Sequence, residues 1–285
     1  MREVAEALVE LLAGGGRGAL ATVVRTSGSV PQPAGARLLL RADDTLVGTV
    51  GGGAIEHAVL EALRDARRTG RSQLLARDLG YDLGMCCGGR MEIFIEPVEG
   101  APRLWLFGAG HVAVPTAALA RTAGFEVTVI DDREALNSED RFPSCQREVD
   151  DPPTFLRARA AGLGARDWLL IVTHDHRLDE ELLELAVQQR PRFIGLVGSQ
   201  RKTFRLLQRI GARLQSGGPA PMALDRVYAP VGLDIGAIGP QEIAISIVAE
   251  LVALRRGQAA AGQLRHMRAV DDVRLQRLLR AERTG

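Results

Sequence analysis

Neither sign of charge prevails in this chain of 285 residues: 36 Lys and Arg stand against 35 Asp and Glu, a formal net charge of +1. A protein dedicated to nucleic acid or another polyanion carries a basic excess. That class is disfavoured, and only a local basic patch is left open. Cysteine is scarce: Cys86 and Cys87 are adjacent, and Cys145 stands alone. An odd count with one adjacent pair is a poor disulfide framework, which points to a reducing cytoplasm. Long apolar runs are also missing. The longest, Ile243–Leu254, is short for a bilayer span and contains Glu250. The N-terminal MREVAEALVELLAGG has apolar residues at helical spacing interrupted by Glu3, Glu6 and Glu10, an amphipathic surface helix and not a secretory signal. No repeat runs through the chain. These absences leave a soluble cytoplasmic protein with no membrane segment, long enough for two cores.

What is present begins with Arg103–Arg133, which reads strand, glycine turn, helix, strand, acid. Arg103–Phe107 suits a strand buried on both faces of a parallel sheet. Gly108 and Gly110 follow, with Ala113 at the small position of a G-x-G-x-x-G/A pattern. The first glycine permits the turn, the second admits a ligand to the backbone, and the small third residue lets the helix lie close to the strand. A helix over Val112–Ala123 aims its N-terminal N–H groups at an anion above the turn. Glu126–Ile130 is the second strand, and Asp131 stands where a dinucleotide-binding unit places its ribose carboxylate, favouring NAD over NADP. Further strands at Trp168–Val172, Phe193–Val197 and Val227–Ala229 alternate with helices to Arg256. The fold class is α/β: an N-terminal α/β domain over 1–99, a Rossmann-like, doubly wound parallel-sheet domain over 100–256, and a charged helical tail over 257–285. Pro97–Pro102 is the linker.

Four constellations could carry chemistry. Gly51, Gly52 and Gly53 follow a strand and precede a helix over Ile55–Arg68, so several N–H groups can converge on one anion. Glu56 in the first turn is either a helix-dipole carboxylate or an acid facing a ligand. Met85-Cys86-Cys87-Gly88-Gly89 sets two thiols among glycines. Exposed thiolates there would suit sulfur or molybdenum chemistry better than magnesium, zinc is disfavoured by the adjacency, and buried packing cysteines are the alternative. Thr173-His174-Asp175-His176, with Asp179 behind, leaves the carboxyl end of a sheet strand. His174 and His176 are expected to hydrogen-bond a ligand or cap the next helix; a metal hydrolase site lacks further ligand motifs. Gly198-Ser199 with Arg201 and Lys202 repeats the anion theme, against a plain capped helix.

In order, these pieces resemble the XdhC/CoxI family, accessory proteins of xanthine dehydrogenase and related molybdenum hydroxylases. The matching strings are GSVPQPAGARLLL, GTVGGGAIE, GMCCGGRMEIFIEP, FGAGHVA, VTVIDDR, THDHRLDEELL, FIGLVGSQRK and PVGLDIGAIGPQEIAISIVAEL, running from Gly28 to Leu254. The resemblance implies a chaperone that binds the molybdenum cofactor (molybdopterin), holds it while a terminal oxo is exchanged for sulfur from a cysteine desulfurase, and delivers it to the apo-dehydrogenase. On that reading Cys87, with Cys86, contacts the metal–sulfur centre. Gly51, Gly52, Gly53 and Glu56 seat the phosphate or pterin, Gly108, Gly110, His111 and Asp131 line a second cleft, and His174 and His176 lie beside it. No metal ion is assigned to the protein's own side chains. Ala54 departs from relatives that carry a functional side chain after the glycines. The buried-looking last helix and charged tail suggest a homodimer. The rival reading is an NAD(P)-dependent oxidoreductase built on Gly108–Ala113 and Asp131.

Overall fold

The computed structural model of the chain describes residues 1–84, 88–215 and 226–257, side chains at 211, 212, 214 and 215 excepted. It divides into two compact units, Met1–Ala101 and Pro102–Gly285. The charged helical tail, Gly257 excepted, lies outside the described residues, as do Met85, Cys86 and Cys87.

In the first unit a five-stranded sheet is ordered β3-β2-β1-β5-β4. The strands are β1 (Arg17–Ser27), β2 (Arg37–Leu40), β3 (Leu46–Gly48), β4 (Gln73–Asp78) and β5 (Arg90–Glu99). Every pairing is antiparallel. The two-residue period of the strands divides their side chains between two helices. Ala19, Ala21, Val23, Leu38, Leu40, Ile93 and Ile95 face α2 (Gly53–Thr69), which buries Ile55, Val59, Leu63 and Ala66 on one stripe. Leu20 and Leu39 point the other way, against Val4, Ala7 and Leu11 of α1 (Arg2–Ala13). The run Leu38-Leu39-Leu40 is therefore apolar without alternation because the sheet is covered on both sides.

The second unit holds a six-stranded, wholly parallel sheet ordered β11-β10-β9-β6-β7-β8. Its elements are β6 (Arg103–Phe107), α3 (Ala113–Thr122), β7 (Glu126–Ile130), β8 (Gln146–Glu148), α4 (Pro152–Arg159), β9 (Asp167–Ile171), α5 (His176–Val187), β10 (Phe193–Leu196), α6 (Gln200–Gln215), β11 (Val227–Tyr228) and α7 (Pro240–Arg255). Along β6, Leu104 and Leu106 join a core with α3 and α7, whereas Trp105 and Phe107 join one with α4, α5 and α6. This is the doubly wound arrangement. Ala113, Ala117 and Ala120 lie on the buried stripe of α3, and side chains this small let the helix lie close to the strands. The order reverses between β6 and β9: after β6 the chain adds β7 and β8 on one side, then returns to place β9 on the other. In open α/β sheets ligands bind outside the carboxyl ends of the strands at such a switch point.

Candidate functional site

In the first unit, three loops gather at one end of the antiparallel sheet. Gly51, Gly52 and Gly53 all have positive φ, at 135°, 70° and 60°. A Cβ on Gly51 would strike the ring of Pro31, but one on Gly52 or Gly53 would meet nothing within 4 Å. The backbone therefore borders open space at the start of α2, where the first N–H groups have no partner within the helix. Glu56 acts locally, since its Oε2 accepts the Gly52 N–H at 2.7 Å and the Thr49 hydroxyl at 2.9 Å. The Thr49 oxygen in turn accepts the Gly51 N–H at 3.1 Å. One carboxylate oxygen thus fixes the glycine loop, and Oε1 makes no hydrogen bond among the described residues.

Across the same end, Gly28 packs against Gly89, and the carbonyls of Ser27 and Ser29 crowd the place a Gly89 side chain would take. The Leu79 N–H donates to Gly89 O at 2.8 Å, and Asp78 Oδ1 accepts from the N–H groups of Gly80 and Tyr81. Gly89 and, through it, Leu79 are therefore held beside the Gly28–Pro33 segment, and Pro31 of that segment touches Gly51. In sequence, Gly28–Pro33 belongs to the turn-rich stretch Thr26–Gly35, from which its bridging role cannot be seen. Its repeated Pro and Gly were the available signal, but the proximity depends on the register of β1 with β5, where Ser27 opposes Arg90.

In the second unit, Gly108, Gly110, His111, Asp131, His174 and His176 all fall at the carboxyl edge of the parallel sheet. Gly108 has φ 115°, and its N–H donates to Ile130 O at 2.8 Å. A Cβ there would lie 2.7 Å from Val172 O and 3.1 Å from Thr173 Cα, so this glycine lets β6 and β9 exit side by side. Gly110 differs: a Cβ on it would meet nothing within 4 Å. α3 starts just beyond with no side-chain cap, and His111 is exposed at its mouth.

Asp131 ends β7 as expected, but its carboxylate is taken. Oδ2 accepts the Ala109 N–H at 2.7 Å, and the Arg133 guanidinium grips both oxygens, at 2.8 and 2.6 Å. Burial pushes this carboxyl up, while hydrogen bonds from the Arg133 side chain, the Arg133 N–H and the Ala109 N–H outweigh it and hold it below the ordinary value of 3.8. Only 2% of the residue is exposed, so a ribose would have to displace Arg133 to reach it.

His174 and His176 are both exposed, and the helix cap is Asp175, whose Oδ1 accepts the Arg177 N–H at 2.7 Å. That bond draws the Asp175 carboxyl below its usual range. Asp179 lies beneath. Its Oδ1 accepts the Thr173 hydroxyl at 2.6 Å, and its Oδ2 lies 2.7 Å from Lys202 Nζ and 3.9 Å from His176 Nδ1. Among the described residues no three His, Cys, Asp or Glu side chains gather as a metal site, and no helix is long and apolar enough to cross a membrane.

Each unit thus offers a glycine turn that feeds a helix N-terminus under open space, and the second is a Rossmann-type unit with its crevice at the switch point. Family comparison assigns both halves. The model described as the XdhC Rossmann domain matches residues 104–251, and that described as the XdhC and CoxI family matches residues 11–78. The chain belongs to the XdhC and CoxI family.

Among curated relatives, the uncharacterized protein YqeB of Escherichia coli K12 is 36% identical over 242 residues, 83% of this chain and 43% of that protein. A Bacillus subtilis 168 protein named as a probable xanthine dehydrogenase component is 37% identical over 165 residues, 58% of this chain and 46% of that protein. The molybdenum cofactor insertion chaperone PaoD of Escherichia coli K12 is 21% identical over 310 aligned positions, 90% of this chain and 89% of that protein. The chain spans less than half the length of the first two.

Proposed function

We propose that this protein is a maturation factor for a molybdenum hydroxylase such as xanthine dehydrogenase, and not a turnover enzyme. It binds the molybdenum cofactor as cargo, holds it during sulfuration by a cysteine desulfurase, and passes it to the apo-enzyme. Family membership and the name of PaoD support this reading. The observation that carries it is the pair of glycine cradles, Gly52–Gly53 and Gly110, open where a side chain would otherwise stand. Phosphate oxygens suit such places, because backbone N–H groups and the helix dipole both favour an anion.

In this reading Gly51, Gly52 and Gly53 seat the phosphate or pterin, and Glu56 keeps the loop in shape while presenting Oε1. Cys87, with Cys86, contacts the metal–sulfur centre, as soft thiolates suit soft metals. Gly108 and Asp131 build the second crevice, Gly110 and His111 line it, and His174 and His176 border it. The factor works in the cytoplasm as a homodimer. The test is transfer. Protein purified from cells with an intact molybdopterin pathway should activate apo-xanthine dehydrogenase, and Cys87→Ala should lose that ability. An active Cys87→Ala protein sinks the cysteine assignment, and no activation by wild type sinks the reading.

The rival, an NAD(P)-dependent oxidoreductase, draws on the position of Asp131, but its internal pairing leaves no free ribose acceptor. Calorimetric titration with NAD showing micromolar binding, together with hydride transfer, would restore it.

A further inference from the structure

Lys202 is the only lysine in the chain; every other one of the 36 basic residues is arginine. Where this protein pairs a cation with a buried carboxylate, it otherwise uses arginine, as in Arg103–Asp167 and Arg133–Asp131. The exception sits at the carboxyl edge of the parallel sheet, in the first turn of α6 just after β10. Its ammonium lies 2.7 Å from Oδ2 of Asp179, a side chain only 1% exposed, while that of Lys202 is 23% exposed. Asp179 Oδ1 takes the hydroxyl of Thr173 at 2.6 Å, and Thr173 adjoins Gly108 at the switch point. The stem is also fitted: a Cβ on Gly198 would come within 3.2 Å of Lys202 Cδ, so the glycine leaves the methylenes their path.

The chemical difference between the two cations explains the choice. An arginine that meets a carboxylate does so with a planar fork, which commits its donors in parallel. A lysine is a compact point charge with three N–H donors. Here one donor is committed to Asp179, and no other partner for the ammonium occurs among the described residues. Both oxygens of Asp179 already accept hydrogen bonds and the carboxylate is sealed off, so an anion in the crevice would meet the ammonium and not the acid.

We propose that Lys202 is the phosphate-reading cation of the Rossmann crevice, with Asp179 as its positioning residue. The ligand class is a phosphate or pyrophosphate group, which rests on the proposed function in that the cofactor, or its dinucleotide form, carries such a group.

A lone lysine makes the test direct. Full-length protein labelled with 13Cε-lysine gives a single lysine signal, and inorganic pyrophosphate is the probe. Saturable movement of that signal is expected, with Lys202→Met binding pyrophosphate about tenfold more weakly or worse, the effect of losing one charge-assisted hydrogen bond. Lys202→Arg should recover part of the loss. A signal that stays still at saturating pyrophosphate, a wild-type protein that binds none, or a folded Lys202→Met variant with unchanged affinity would each overturn the assignment. Should Lys202→Met fail to fold, the wild-type signal decides alone. Pterin retention is scored separately on the same preparations. Pyrophosphate binding without pterin retention rejects the maturation reading and keeps Lys202 as a phosphate ligand. Pterin retention with an unmoved lysine signal does the reverse.

Discussion

Gly108 and Gly110 are two residues apart and have opposite reasons to be glycine, so replacing each with alanine separates fold from binding. At Gly108 the backbone has φ 115°, and the new methyl would press on the Val172 carbonyl at 2.7 Å. Holding a non-glycine residue in such a conformation costs about 1–3 kcal/mol. The contact adds to it, because β6 and β9 are hydrogen-bonded neighbours and cannot part freely. A total near ~3 kcal/mol is a large share of the ~5–15 kcal/mol that keeps a domain folded. At Gly110 the methyl enters open space and no positive φ is involved, so stability should change by less than ~1 kcal/mol, in either direction. If a phosphate binds over Gly110 as proposed, the same methyl would stand in its way, and losing one hydrogen bond to a charged group, about 1.5–3 kcal/mol, would weaken binding tenfold or more. Tryptophan fluorescence in urea reads the first effect, since both tryptophans, Trp105 and Trp168, lie in this sheet. Pyrophosphate titration reads the second. Equal destabilisation by the two substitutions, or unchanged binding in Gly110→Ala, would refute the division of roles.

Asp131 should make the second unit sensitive to acid. Its folded carboxyl lies below 3.8, so the stability it contributes is complete above the unfolded value and disappears as pH falls from there through the folded one. Asp131→Asn should flatten the fluorescence-monitored acid transition in that window; an unaltered slope would show that the Arg133 pair is inert. For Glu56, alanine removes the acceptor for Gly52 and Thr49 and should cost about 1 kcal/mol, whereas Glu56→Gln keeps an oxygen and should cost a few tenths. Urea melts give both figures. Reduced pterin retention in a stable Glu56→Gln protein would show that the free oxygen meets the cargo.

Much of the second unit can be read from residues that follow one another. In Arg103–Arg133 the strand, turn, helix and acid are local signals in register, and parallel strands with helices between them leave few topologies. The first unit is less legible. Leu38-Leu39-Leu40 is buried on both faces, so alternation is hidden, and the order β3-β2-β1-β5-β4 rests on pairing between distant strands. The same distance hides the meeting of Gly28–Pro33 with Gly51 and Gly89. Helix boundaries differ at their ends: α2 starts at Gly53 ahead of Ile55, and α3 runs from Ala113 to Thr122 within the expected Val112–Ala123. Spacing alone locates Asp131, but its occupant, Arg133, cannot be read from that pattern. Lys202 looks in sequence like half of an ordinary basic pair because Asp179, which gives it meaning, belongs to another helix.

Molybdenum and pterin content of the protein, purified from cells with an intact molybdopterin pathway, tests most directly whether the chain carries the molybdenum cofactor. Both should be present in stoichiometric amounts, and Gly110→Ala should lower them while remaining folded. Folded wild-type protein that holds neither would show that the chain is not a carrier of the cofactor.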